Sequence, residues 1–310
     1  MPSRSAPEPP AAPSQPGRGR FAPSPTGPLH FGSLLAAFGS WLVARHAGAQ
    51  WWVRVEDLDP PREQPGAIER QLRTLEAFGL VSDGPILRQS SRDAAYREAL
   101  DQLLADGAAF ECWCSRADLL ATGSVHHACL SGPTEGRTPA IRLRIPRGAI
   151  VAFDDAIQGR VVQDVGVEVG DVVLRRADGF WAYQLAVVVD DAAQGITQIV
   201  RGADLLDSTP RQIYLQHALG LPTPEYAHLP LVVDHAGRKL SKSLSALPID
   251  DADPLPALRA AWRAMGQDPA ALAHVADVQG ALDAASAAFE PEWIPSGSVA
   301  LHNAGVAIAP

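Results

Sequence analysis

From Arg20 onward, short apolar runs of strand length alternate with longer stretches of helical periodicity, the rhythm of an α/β fold. Arg20-Phe21-Ala22-Pro23 reads as a short strand entering the turn-rich segment Ser24-Pro25-Thr26-Gly27-Pro28. Residues 30–47 follow, apolar and Ala-rich, as a buried helix that Gly48 stops. Trp51-Trp52-Val53-Arg54-Val55 is a second strand, with Glu56-Asp57-Leu58-Asp59 immediately behind it. Helical periodicity returns at 66–79 and 92–106. Between 109 and 176 the texture changes to a cysteine cluster and short strands near 141–145 and 169–174. The α/β rhythm then resumes through the apolar run 185–189, a strand near 196–200 and a helix near 205–219. Two short helices are predicted at 255–265 and 269–285.

The pattern predicts a nucleotide-binding domain in two halves, 20–108 and 177–235, split by an insertion at 109–176. A loop and helical stem at 236–285 follow, and the Ala-, Pro- and Gly-rich residues 286–310 read as a flexible tail. Residues 1–19 hold six prolines and no apolar signal-peptide core, so they read as a disordered leader and the expected location is cytoplasmic. No run of about 18 apolar residues suggests a membrane span.

Composition sharpens two points. The three cysteines, Cys112, Cys114 and Cys129, fall within 18 residues, the distribution of a metal site and not of a disulfide scaffold. Basic residues comprise 24 arginines and only two lysines, Lys239 and Lys242, in Lys239-Leu240-Ser241-Lys242-Ser243. A compact ammonium on a flexible stem is not interchangeable with a planar fork, so a chain that reserves lysine for one loop implies chemistry there. The net charge of −9 falls mainly on residues 177–310, which carry seven basic and 15 acidic groups. A nucleic-acid partner would have to be met by arginines elsewhere.

Two segments suit phosphate handling. Pro23-Ser24-Pro25-Thr26-Gly27-Pro28-Leu29-His30-Phe31-Gly32-Ser33 joins a first strand to a helix, where unpaired N–H groups and the positive dipole end favour phosphate. His30 can donate to phosphate oxygens, and Gly32 permits close approach of a nucleotide. The lysine loop can close over a triphosphate and stabilise charge as pyrophosphate leaves.

In this order the two segments resemble the HIGH and KMSKS signatures of class I aminoacyl-tRNA synthetases, with Ser33 in place of the second histidine. Arg20 to Gly27, Arg54-Val55-Glu56-Asp57-Leu58-Asp59, Trp181-Ala182-Tyr183-Gln184-Leu185-Ala186, Val189-Asp190-Asp191 and Val200-Arg201-Gly202-Ala203-Asp204-Leu205 narrow the resemblance to the glutamyl/glutaminyl branch. It implies a Rossmann-like parallel sheet split by a zinc-containing insertion, with a short C-terminal helical stem. It further implies ATP as substrate, magnesium on the phosphates, and His30, Lys239 and Lys242 as catalytic residues. His30, Gly32, Ser33 and Lys242 would bind ATP; Arg20, Phe21, Ala22, Pro23, Ser24, Glu56, Tyr183 and Arg201 would bind glutamate. That ligand has two carboxylates and one ammonium, so Arg20 and Arg201 can meet carboxylates, Glu56 the ammonium, and Tyr183 can supply a hydroxyl.

Only 67 residues follow Ser243, too few for a large anticodon-binding region. That shortness resembles the truncated members of the branch. These activate L-glutamate without tRNA and pass it to queuosine in the anticodon loop of tRNA(Asp). A monomer is expected. The alternatives are a truncated conventional glutamyl- or glutaminyl-tRNA synthetase, a glutamate-activating ligase with a non-tRNA acceptor, and a non-catalytic tRNA-binding module. Cys112, Cys114 and Cys129 fit one structural zinc ion. The family's usual tyrosine ligand is replaced by Val125, so the fourth ligand is expected to be His126, with His127 left open, and three reduced thiols without metal are the other outcome.

Overall fold

The computed structural model describes residues 16–120, 123, 125–233, 249–302 and 305–308. In chain order the first part comprises β1 (Arg18–Phe21), α1 (Phe31–His46), β2 (Gln50–Val55), α2 (Ala67–Ala77), β3 (Leu87–Arg88) and α3 (Asp93–Ala105). The middle holds β4 (Ala109–Cys112), α4 (Arg116–Leu120), β5 (Ala140–Leu143), β6 (Ile150–Asp155), β7 (Gly159–Asp164), α5 (Val165–Glu168) and β8 (Val172–Arg175). The last part runs α6 (Tyr183–Ala193), β9 (Gln198–Gly202), α7 (Thr209–Ala218), β10 (Glu225–Leu229), β11 (Leu231–Val233), α8 (Leu255–Ala264), α9 (Val278–Ala288), β12 (Ser298–His302) and β13 (Gly305–Ile308).

The main sheet has the order β3-β2-β1-β9-β10-β6-β7, and only the β6–β7 hairpin pairs antiparallel. Strand order reverses between β1 and β9, the crevice where open parallel sheets bind ligands at their carboxyl ends. Alternation along each strand sends neighbours to opposite faces. Val200 and Ala227 join the core around α1, α8 and α9, while Ile199 and Tyr226 join the core around α3, α6 and α7. Parallel strands covered on both faces bury nearly everything, and here that includes Arg20, Arg54, Arg201 and His228. By the same alternation all four lie on the α6 face.

Helix α1 is buried on most of its circumference, and its small residues let it lie close to the sheet. A Cβ on Gly39 would stand 2.6 Å from a Leu229 methyl. The helix ends as expected at Gly48 (φ 62°), where Ala49 N–H bonds the Ala44 carbonyl and Gly48 N–H that of Arg45.

Three details differ from the sequence reading. Residues 150–164, expected in the insertion, extend the main sheet, because Asp155 pairs with Tyr226 beside β10. The rest of the insertion forms its own antiparallel sheet, β4-β5-β8. The helix expected at 269–285 is broken: a 3-10 turn at Pro269–Leu272 precedes α9, whose start is fixed by the Asp277 carboxylate accepting from Gly280 N–H at 2.7 Å. Within the residues read as a flexible tail, β12 pairs parallel with β11 and Val299 is fully buried.

Candidate active site and metal centre

A cleft of about 660 Å³ opens at the carboxyl ends of β1, β2 and β9. Its wall includes Arg20, Phe21, Ala22, Pro23, Ser24, His30, Gly32, Ser33, Glu56, Tyr183 and Arg201, every described residue assigned from the sequence to glutamate or ATP. Lys239 and Lys242 lie outside the described residues, in the segment that follows β11; Leu231 and Val232 of that strand line the cleft.

His30 caps α1. Its Nδ1 accepts from Ser33 N–H at 3.1 Å, so the ring proton of the neutral imidazole sits on Nε2, a donor at the cleft. Burial holds its pKa below the ordinary imidazole value, against the opposing charge of Asp204, so the neutral form dominates. Gly32 matters for a local reason too: a Cβ there would meet the His30 ring at 3.1 to 3.2 Å and disturb the cap. Gln71, which sequence reasoning did not single out, pins the loop from below, donating to the carbonyls of Ser24 (3.0 Å) and Gly27 (2.7 Å).

The arginines are less free than the sequence suggested. Arg20 spends Nε and Nη2 on both oxygens of Asp191, at 3.1 and 3.3 Å. Arg54, fully buried, donates through Nη1 to Asp191 (2.7 Å) and Gln194 (2.9 Å) and reaches Glu56 at 3.4 Å. Burial raises the Asp191 pKa, but the Arg20 and Arg54 charges more than offset this and hold it below the carboxylate range. Burial pushes Glu56 the other way, above that range, with Arg54 and Arg20 opposing. Arg201 donates through Nε to His228 at 3.0 Å and through Nη2 to Thr209 at 2.9 Å, while its buried Nη1 has no partner among the described residues. An unpaired buried guanidinium N–H is costly and fits a carboxylate ligand. Tyr183, at the start of α6, is raised in pKa by burial and then by Glu56, so its hydroxyl stays protonated.

In the insertion, the ligand atoms of Cys112, Cys114, His126 and Cys129 lie within 4.8 Å of one another, so these four could hold a metal ion. A tetrahedral Cys3His zinc site needs sulfurs roughly 3.8 Å apart, and this set can supply it. His126, not His127, joins the cysteines: its Nε2 is 3.3 Å from Cys112 Sγ, and its Nδ1 is 2.8 Å from Asp171. A carboxylate behind a ligating imidazole fixes ring orientation and raises ligand basicity. Asp171 is itself held by Ile145 N–H at 2.8 Å.

A parallel sheet reversing order beside β1, a histidine-capped helix at that point and a cleft lined by buried arginines fit the class I aminoacyl-tRNA synthetase core that the motif segments resemble. Residues 18–281 match the family described as tRNA synthetases class I (E and Q), catalytic domain, and the chain belongs to that family of ligases. It is 67% identical to a glutamyl-Q tRNA(Asp) synthetase of Xanthomonas campestris pv. campestris (strain 8004), over 91% of this chain and 94% of the relative. A protein of the same name from Burkholderia cenocepacia (strain HI2424) is 54% identical, over 89% of this chain and 95% of that one. The structure is similar to that of a glutamate-tRNA synthetase from Elizabethkingia anophelis, with a TM-score of 0.77 and 26% identity, over 94% of this chain and 69% of the other.

Proposed function

We propose that this chain activates L-glutamate with ATP, without tRNA, and transfers it to the queuosine base in the anticodon loop of tRNA(Asp). The observation that carries this reading is one cleft that joins a histidine-capped helix start to a pocket of fixed charge: Arg20, Glu56, Tyr183 and Arg201. The names of the relatives support the acceptor.

The glutamate α-carboxylate attacks the α-phosphorus of ATP, and pyrophosphate leaves to give glutamyl-adenylate. A hydroxyl of the queuosine cyclopentenediol then attacks the acyl carbon, and AMP leaves. No side-chain nucleophile takes part, so catalysis is positioning and charge stabilisation. Arg201 Nη1 and the remaining edge of Arg20 meet carboxylates, Glu56 takes the ammonium, and Tyr183 offers its hydroxyl. His30 Nε2–H, the start of α1 at Gly32 and Ser33, and Lys239 and Lys242 serve the phosphates; magnesium would neutralise phosphate charge there. Zinc held by Cys112, Cys114, His126 and Cys129 would be structural and would take no step in the reaction. The reading places the protein in the cytoplasm, with its ATP and tRNA substrates; among the described residues no helix is long and apolar enough to cross a membrane.

Glutamate-dependent exchange of pyrophosphate into ATP, run without tRNA, tests the first half. Exchange should occur, and Lys242→Ala should slow it by about 100- to 1000-fold, as loss of a transition-state donor does, with a far smaller effect on glutamate KM. Exchange that requires tRNA would contradict the proposal.

A further inference from the structure

Arg201 is held by hydrogen bonds that run through His228 to a carboxylate outside the cleft wall. Arg201 lies on β9, His228 on β10 and Asp155 on β6, three successive strands of the sheet, and all three residues are buried. Asp155 Oδ1 accepts from the backbone N–H groups of Ile157 (3.1 Å), Gln158 (2.9 Å) and His228 (3.0 Å). Its Oδ2 stands 2.5 Å from His228 Nδ1. On the other side of the ring, Arg201 Nε–H points at His228 Nε2 from 3.0 Å. A guanidinium only donates, so Nε2 must be the acceptor and the ring proton must lie on Nδ1, facing Asp155. Burial first, and then the Arg201 charge, keep this imidazole neutral despite Asp155.

We propose that Asp155 and His228 are a positioning pair for the amino-acid substrate. By locking the proton on Nδ1, they keep an acceptor in front of Arg201 Nε and so aim the unpartnered Nη1 at a substrate carboxylate. The proposal rests on the reading of Arg201 as a glutamate ligand. It gives the β6–β7 hairpin a part in substrate recognition, although neither Asp155 nor His228 is among the residues that line the cleft.

Asp155→Asn isolates the effect because it preserves shape. Three backbone donors at Oδ1 oblige the asparagine to keep its carbonyl there, so its amide directs N–H at His228 Nδ1. The ring proton must then move to Nε2, where it opposes Arg201 Nε–H. In tRNA-free pyrophosphate exchange, D155N should raise glutamate KM by about 10- to 100-fold, the loss of one hydrogen bond to a charged group, while ATP KM and kcat at saturating glutamate change little. His228→Asn retains a donor for Asp155 but is too short to place an acceptor at Arg201 Nε, and should reproduce the effect; it also keeps the question open to test should D155N fail to fold. His228→Gln offers Arg201 a carbonyl oxygen whatever stands at 155, so D155N added to H228Q should cost almost nothing more.

Unchanged glutamate KM in D155N and H228N would overturn the pair, as would an equal rise in ATP KM or simple additivity of D155N with H228Q. Arg201→Lys separates this failure from that of the underlying reading. If R201K raises glutamate KM while D155N does not, the pair is wrong and Arg201 remains a ligand. If R201K leaves glutamate KM unaltered, the assignment of Arg201 falls and the positioning pair with it.

Discussion

Asp191 lies between two buried guanidinium groups, those of Arg20 and Arg54, and compensates their charge. Asp191→Asn should therefore destabilise the fold by about 3–5 kcal/mol, because it leaves uncompensated buried charge. Urea unfolding measures this, and a change within 0.5 kcal/mol or so, the ordinary size at surface sites, would contradict the assigned role. The sign for pH follows from the lowered pKa: this stabilisation is present above the ordinary carboxylate pKa and lost as pH falls through the folded value. Glu56 behaves oppositely. Burial raises its pKa, so acidification removes the negative charge proposed to meet the glutamate ammonium. The kcat/KM for glutamate should fall with decreasing pH from a point above the usual carboxylate range. Glu56→Gln should have a low and flat profile over the same interval, whereas an unaltered profile in that variant would assign the acid limb to another group.

At the scale of elements, the strands of the insertion pack into the core around α3, α6 and α7, and its cysteine-bearing segment gathers four residues that could hold a metal ion. Purified protein should hold close to one zinc ion. His126→Ala should lose it and His127→Ala should keep it, measured by metal analysis; the reverse result would exchange the two histidines. Asp171→Asn should weaken zinc binding by about 10- to 100-fold, as loss of a carboxylate behind a ligating histidine does. The cysteine spacing predicted the cluster that the fold gathers, and the sequence already favoured His126; the partner Asp171 was not legible, because it approaches from 45 residues away. The same holds for the cleft. Helix starts, strand alternation and the motif segments located its lining, since those signals are local. What stayed hidden was long-range pairing: Arg20 and Arg54 with Asp191, Gln71 under the Ser24 loop, and His228 between Asp155 and Arg201. One signal was present: charged residues inside apolar strand runs, as in Trp51-Trp52-Val53-Arg54-Val55, mark side chains that need buried partners. The join of β6 to β10 and the strand at Ser298–His302 were likewise hidden, because strand neighbours depend on topology and not on local pattern.

The whole molecule combines the cleft proposed to take a small, doubly acidic amino acid with a net charge of −9. Its acidic excess sits in residues 177–310, so arginines of the first half and the insertion are the natural contacts for RNA phosphate. Binding of tRNA should accordingly weaken steeply with salt, while glutamate activation changes far less. The central claim concerns the acceptor, and one experiment addresses it: incubation with labelled glutamate, ATP and two preparations of tRNA(Asp), with and without queuosine, beside tRNA(Glu). Label should appear only in the queuosine-containing tRNA(Asp), within its anticodon loop. Label at the 3′ end of tRNA(Glu), or in tRNA(Asp) lacking queuosine, would contradict the account.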